Sequence, residues 1–287
     1  GSTGTIMFLI YGFVVGMTAG FTVLTAQKFG AGDMKAMRKT VGNAAILAII
    51  MSLIMTVLGM MAMKPLLGIM KTPDDIFKDA YAYIMVICGG IAAQMLYNFL
   101  SSVLRALGNS KVPLYFLILA ALLNIVLDMV FIIAFHMGAA GAAWATVLGQ
   151  IASLALAAVF HFRLNRELPF RRKALRLRRS IVGEIYSIGV PAIIAQGAMS
   201  VMNYCVNLIF GSLDSSYVTA YGIVYKIQQF VLFAAFGLRD AITPIVSFSY
   251  GMQNAKRIRE GVRCGLMYTS VLMLVCTAAV EILAQPL

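Results

Sequence analysis

The sequence predicts an all-α polytopic membrane protein, and three observations carry that prediction. Its 287 residues are 61% hydrophobic and 12% charged, with a mean hydropathy of +0.89. Apolar runs of about 20 residues, the length a helix needs to cross a hydrocarbon core, recur from one end of the chain to the other. Basic residues are concentrated in the short segments between those runs, as bilayer-spanning chains arrange them. In a soluble chain a net charge of +12 would point to nucleic acid; interleaved with spanning runs, it points to lipid headgroups instead.

The first span covers about residues 5–27, followed by the turn Phe29-Gly30-Ala31-Gly32-Asp33 and the basic cluster Lys35, Arg38 and Lys39. The second covers 41–63 and ends before Pro65. Thr72-Pro73-Asp74-Asp75 reads as an N-cap, a proline at the first helical position and two acids that favour the helix dipole, opening a third span that ends near 104. After Gly108-Asn109-Ser110 and Pro113 comes LYFLILAALLNIVLDMVFIIAF at 114–135. The fifth helix, GAAWATVLGQIASLALAAVF at 141–160, is rich in small residues that let backbones approach closely. The segment 163–179, RLNRELPFRRKALRLRR, holds eight basic residues against Glu167 alone and reads as a linker that meets anionic headgroups. A nucleic-acid surface would need a folded domain with aromatic platforms. Spans at 184–210, 217–249 and 262–284 complete a set of eight.

Most of the 23 basic residues fall in the connections after spans one, three, five and seven, so the positive-inside rule puts the linker in the cytoplasm. An internal repeat then sets the architecture. GMTAGFTVLTAQKFGAGDMKAMRKTV at 16–41 aligns without a gap on GLRDAITPIVSFSYGMQNAKRIREGV at 237–262, at a constant offset of 221. Gly16, Thr22, Gly30, Lys35, Arg38 and Val41 recur as Gly237, Thr243, Gly251, Lys256, Arg259 and Val262, with Asp33 replaced by Asn254. An even number of spans separates the copies, so they share one orientation, related by an axis along the membrane normal. The whole protein is therefore expected to have two parallel pseudo-symmetric six-helix lobes. In this chain 1–162 is an N-terminal lobe lacking its first helix, 163–183 a basic linker, and 184–287 the first half of a C-terminal lobe. One more helix is expected before the chain and three after it.

Polar groups inside the spans are the candidate site residues. Asn124 and Asp128 lie at i,i+4 near the middle of the fourth span, on one helical face. A carboxylate at that depth is expensive unless it faces a polar interior or holds a proton or cation. Together an amide and a carboxylate can share one hard cation, or they can simply hydrogen-bond neighbouring helices. Gln196, Ser200, Asn203 and Asn207 fall at i, i+4, i+7 and i+11, a stripe that either lines a cavity or packs against other helices; Gln94 and Asn98 pose the same alternative. In the seventh span Asp240 precedes Pro244 by four residues, so the proline frees the Asp240 carbonyl and bends the helix, which suits a gating element but also occurs in static bundles. The four cysteines lie in or beside apolar runs without ligand spacing, reading as small buried hydrophobes. No Walker A loop, HExxH, GxSxG or metal-spaced Cys/His set occurs, and paired Asp-rich metal motifs are missing, so an enzyme is not expected.

The pieces GAGDMKAMRKT, AYAYIMVICGGIAAQMLYNFLSSVLRALGNSKVPLYFLILAALLNIVLD, GAAGAAWATVLGQ and GVPAI, together with the Gly251 junction, resemble the multidrug and toxic compound extrusion (MATE) transporters across essentially the whole chain. LRALGNSKVP and LLNIVLD are the most specific. The resemblance implies an alternating-access antiporter in the cell membrane that exports amphipathic, often cationic, drug-like molecules against H+ or Na+ and uses no cofactor. A lipid-linked precursor flippase of the same superfamily is the alternative. The chain would hold family helices two to nine. The family's N-lobe cation site carries over onto Asn124, Asp128 and Thr146, its remaining acid lying on the first helix; any Na+ would sit at Asp128 and Asn124. The carboxylate that some members carry in the seventh helix has no counterpart after Pro191.

Overall fold

A computed structural model describes residues 2–69, 74–163, 176–213 and 215–283. Eight helices follow in order: α1 (Ser2–Gly30), α2 (Met34–Ile69), α3 (Asp74–Ala106), α4 (Lys111–Asp128), α5 (Gly138–Arg163), α6 (Arg179–Leu213), α7 (Ser215–Gly251) and α8 (Ala255–Leu283). Each contains a stretch long and apolar enough to cross a membrane. Most of the expected linker, 164–175, and the expected cap residues Thr72 and Pro73 lie outside the described residues.

Several helices begin earlier than their apolar runs. Hydropathy marks where lipid begins, whereas capping marks where hydrogen bonding begins. At α2 the chain turns through Gly32 (φ 71°), and Asp33 Oδ1 accepts the backbone N–H of Lys35 at 3.1 Å and of Ala36 at 2.8 Å. At α8, Gln253 adopts φ 54° and Asn254 Oδ1 accepts the N–H of Arg257 at 3.1 Å. Residues 32 and 253, and the caps 33 and 254, are related by the same offset of 221. The turn is thus built twice, once with glycine and once with a glutamine that tolerates the left-handed region at about 1 kcal/mol. Helix α6 starts at Arg179, inside the segment read as linker, where Asn43 of α2 accepts the backbone N–H of Arg178 at 2.6 Å. Lys28 at the end of α1 also pairs with Glu184 at 3.3 Å.

Helix α1 is the centre of the bundle, packing against α2, α3, α6 and α7. Its Val14, Met17, Phe21 and Leu24 join Met95, Phe99 and Val103 of α3 and Ile185 of α6 in one core, with Phe21 edge-on to Phe99 at 5.7 Å. Toward α6 it presents Gly12, Gly16 and Gly20, one turn apart. A Cβ at Gly16 would stand 2.7 Å from the Ile193 nitrogen, and one at Gly20 would stand 2.6 Å from the Ile185 carbonyl oxygen. Only glycine permits this approach. At the other extreme, Pro113 alone is buried on α4, whose long apolar side chains face outward as lipid contact requires.

Near the connections α1–α2 and α7–α8 the ends of α1 and α7 meet. A side chain at Gly30 would overlap the Phe248 carbonyl, and one at Gly251 would overlap the Gln27 carbonyl. The Phe29 and Phe248 rings pack beside them at 5.5 Å. Since 248 is 27 plus 221 and 251 is 30 plus 221, the two contacts are the same contact seen from either copy of the repeat. Only Cys88 fulfils the expectation of a buried cysteine; Cys205 and Cys264 are exposed, because they lie on outward faces of their helices.

Candidate functional site

Helices α4 and α5 run antiparallel in close register. Ser153 donates to the Phe116 carbonyl at 3.3 Å, Gly149 lies against the Ala120 carbonyl and the Asn124 Cβ, and Gly141 lies against Phe131. The small residues Gly141 and Gly149 make this possible, and between them Asn124 Nδ2 meets Thr146 Oγ1 at 3.4 Å. Thr146 in turn donates to the Ala142 carbonyl at 3.0 Å, so its lone pairs remain directed at Asn124. Asn124 and Thr146 are thereby brought together from two helices, with Asp128 one turn along α4 from Asn124.

Asp128 Oδ1 is buried and has no hydrogen-bond partner among the described residues. Neither ion pair of the described chain involves it: Lys28–Glu184 and Arg239–Asp240 lie elsewhere. Immediately after Asp128 the helix widens into a π-helical turn, Met129–Ala134, closed by the Phe135 N–H on the Val130 carbonyl at 3.1 Å. The apolar run at 114–135 gave no sign of this; π-turns of this kind often mark functional positions. A carboxylate, an amide oxygen and a hydroxyl form a hard-oxygen donor set that fits Na+ or a proton. No group of three or more His, Cys, Asp or Glu that would hold a metal occurs among the described residues.

The α6 stripe divides into two environments. Gln196 and Ser200 are buried, Gln196 against Gly12 of α1 and Ser200 with a hydroxyl that has no partner among the described residues. Asn203 reaches α7 instead: it accepts from Tyr221 OH at 2.9 Å and donates to Tyr225 OH at 2.6 Å, and the two rings stack at 5.8 Å. Asn207 is exposed and donates to the Asn203 carbonyl at 2.8 Å. On α3, Gln94 and Asn98 are half-buried, the Asn98 amide donating to the Gln94 carbonyl at 2.8 Å. Asp240 pairs with Arg239 at 2.9 Å, and Arg239 also lies over the Phe236 ring at 5.0 Å. Helix α7 continues through Pro244, with the Thr243 hydroxyl on the Arg239 carbonyl at 2.7 Å. Sequence reasoning missed Tyr225, Gln150 and the glycines Gly12 and Gly20. Their signals were an aromatic i,i+4 pair, a polar residue one turn from Thr146, and a small-xxx-small pattern.

The MatE family model matches residues 1–130 and 191–287. The chain belongs to the MatE family. Among curated relatives, the probable multidrug resistance protein YpnP of Bacillus subtilis (strain 168) is 30% identical over 263 residues, covering 89% of this chain and 57% of YpnP. The multidrug export protein MepA of Staphylococcus aureus (strain NCTC 8325 / PS 47) is 24% identical over 65% of this chain and 41% of its own length. The chain thus spans about half the length of these relatives. The fold matches a MOP superfamily transporter from Pyrococcus furiosus with a TM-score of 0.93 at 21% identity, over 99% of this chain and 64% of that one. It also matches a MATE structure in complex with MaD3S with a TM-score of 0.92, over 99% and 65%. MatE membership sets the enzyme reading aside, and the described residues form an all-helical, membrane-spanning bundle.

Proposed function

We propose that this MatE chain carries the N-terminal lobe, less its first helix, and half of the C-terminal lobe of a cation-coupled exporter. It works by alternating access in the cell membrane, with the basic linker cytoplasmic. Its substrates are amphipathic, often cationic, drug-like molecules, in keeping with the multidrug names of YpnP and MepA. One observation carries the coupling: a buried carboxylate oxygen at Asp128, without a partner among the described residues, one turn from the Asn124–Thr146 pair. A buried polar group left unpaired is costly, and a transported H+ or Na+ relieves that cost each time the site is loaded. Asn203 and Asn207 meet substrate between the lobes, while Gln196 packs α6 against Gly12 of α1. The Pro244 region of α7, with Asp240, serves as the gating element.

The test is flux of ethidium into proteoliposomes holding the natural gene product, driven by a proton gradient and separately by a sodium gradient. Asp128→Asn abolishes gradient-driven flux while leaving insertion intact. Full driven flux by that variant refutes the coupling role; movement of a lipid-linked pyrophosphate in place of ethidium establishes the flippase reading.

A further inference from the structure

The α4–α5 seam continues beyond the Asn124–Thr146 pair. Gln150 lies one turn from Thr146 toward the linker end of α5, so both side chains share a face. On one flank of that face Thr146 meets Asn124. On the other, Val147 packs so tightly on α3 that a Cβ at Gly90 would stand 2.5 Å from it. Gln150 falls between these directions, at the junction of α3, α4 and α5. Its Oε1 is buried and accepts no hydrogen bond among the described residues, the same condition as Asp128 Oδ1.

The register fixes the levels. Gly149 lies beside Ala120, so Gln150 is one turn below Asn124 and two below Asp128. Unpaired buried oxygens therefore flank the Asn124–Thr146 pair on both sides, in steps of about 6 Å along the membrane normal. The parallel contact of Gly90 with Val147 brings Gln94 of α3 to the level of Gln150. An amide oxygen is a hard ligand for Na+ and an acceptor for a hydrated proton. A purely packing role at this place would be filled by leucine or methionine without an unpaired dipole.

We propose that Gln150 is a hand-off ligand for the coupling cation. A cation held by Asp128, Asn124 and Thr146 moves one turn along the seam to the Gln150 oxygen on its way to the basic face. This rests on the coupling proposed above and extends it to a residue outside the carried-over site. The test compares Gln150→Leu, the unbranched Gln150→Met and the oxygen-retaining Gln150→Glu in proteoliposomes of the natural gene product. Half-saturating Na+ and H+ for driven ethidium flux are measured beside ethidium KM and gradient-free counterflow. The Leu and Met variants raise the half-saturating concentration of the coupling cation on the order of tenfold, leave KM and counterflow unchanged, and Glu restores the cation dependence. An unchanged cation dependence in both Leu and Met variants, or a parallel loss of counterflow, overturns the proposal. Asp128→Asn separates the two ideas: if it still couples, the coupling reading itself fails, whereas a dead Asp128→Asn beside a normal Gln150→Leu strikes only the hand-off.

Discussion

Gly16 and Gly237 are equated by the repeat, yet their surroundings differ, and alanine at each isolates the difference. At Gly16 a Cβ would stand 2.5 Å from Ile193 Cγ1, 2.7 Å from the Ile193 nitrogen and 2.9 Å from its Cα. The side-chain carbon can rotate away, but the backbone atoms retreat only if α6 moves. At Gly237 nothing lies within 4 Å. Both substitutions gain the same helix propensity, about 1 kcal/mol for Ala over Gly, so the propensity cancels between them. What remains is overpacking at the α1–α6 crossing, about 1–3 kcal/mol. At about 2–4 °C per kcal/mol for chains of around this size, Gly16→Ala melts several degrees below Gly237→Ala. The assay is gel filtration of the detergent-solubilised 287-residue chain after graded heating, followed by the monodisperse peak. Equal midpoints, or a Gly16→Ala midpoint above that of Gly237→Ala, refute the close crossing.

Cysteines introduced at Asn207 react readily with a small hydrophilic thiol reagent in a background without the four native cysteines, whereas those at Ser200 and Gln196 do not, as their burial dictates; equal labelling at all three contradicts the split of the α6 stripe. Asn203→Leu strands the two tyrosine hydroxyls it holds, at about 1–3 kcal/mol, and lowers the melting midpoint more than Tyr225→Phe, which removes one hydrogen bond with its partner's alternatives intact; the reverse order in the same heating assay argues against the clasp. Gly30→Ala and Gly251→Ala each raise the reactivity of a cysteine at Phe29 by a similar factor, and the double variant adds little to either; a double effect equal to the product of the singles rejects a shared contact.

What the sequence revealed follows from which physical signals are one-dimensional. Spanning runs are one-dimensional, so all eight helices were readable, and so was the repeated junction, whose turn and cap chemistry recur locally at Gly32-Asp33 and Gln253-Asn254. Asn124 and Asp128 were found because a polar pair in a lipid-length run has few explanations. Helix ends were misread wherever charged residues prolong a helix beyond the apolar run, as at Met34 and Arg179. The centrality of α1 was hidden because hydropathy does not separate a face turned to lipid from one turned to protein: α4 is the more apolar helix and the less buried. The stripe on α6 was correctly seen as one face, yet which neighbour each residue meets is a property of α1 and α7, not of α6.

The reciprocal contact at Gly30 and Gly251 says more about the interface than its size does. A two-fold operation carries a contact from residue 30 of one unit to residue 27 of the other into its mirror assignment, as in any isologous interface. Both versions are present, Gly30 on Phe248 and Gly251 on Gln27, so the axis passes between the ends of α1 and α7. A contact on the axis cannot be relieved on one side alone. Separating the helices enough to admit a side chain at Gly30 admits one at Gly251 as well, and the two substitutions are coupled, not independent. The Gly12–Gly16–Gly20 crossing joins α1 to α6 by a different contact, in which the glycines lie against Gln196, Ile193 and Ile185. The end of α1 is therefore clasped symmetrically to the end of α7, and only glycine at both 30 and 251 allows the two backbones to come that close.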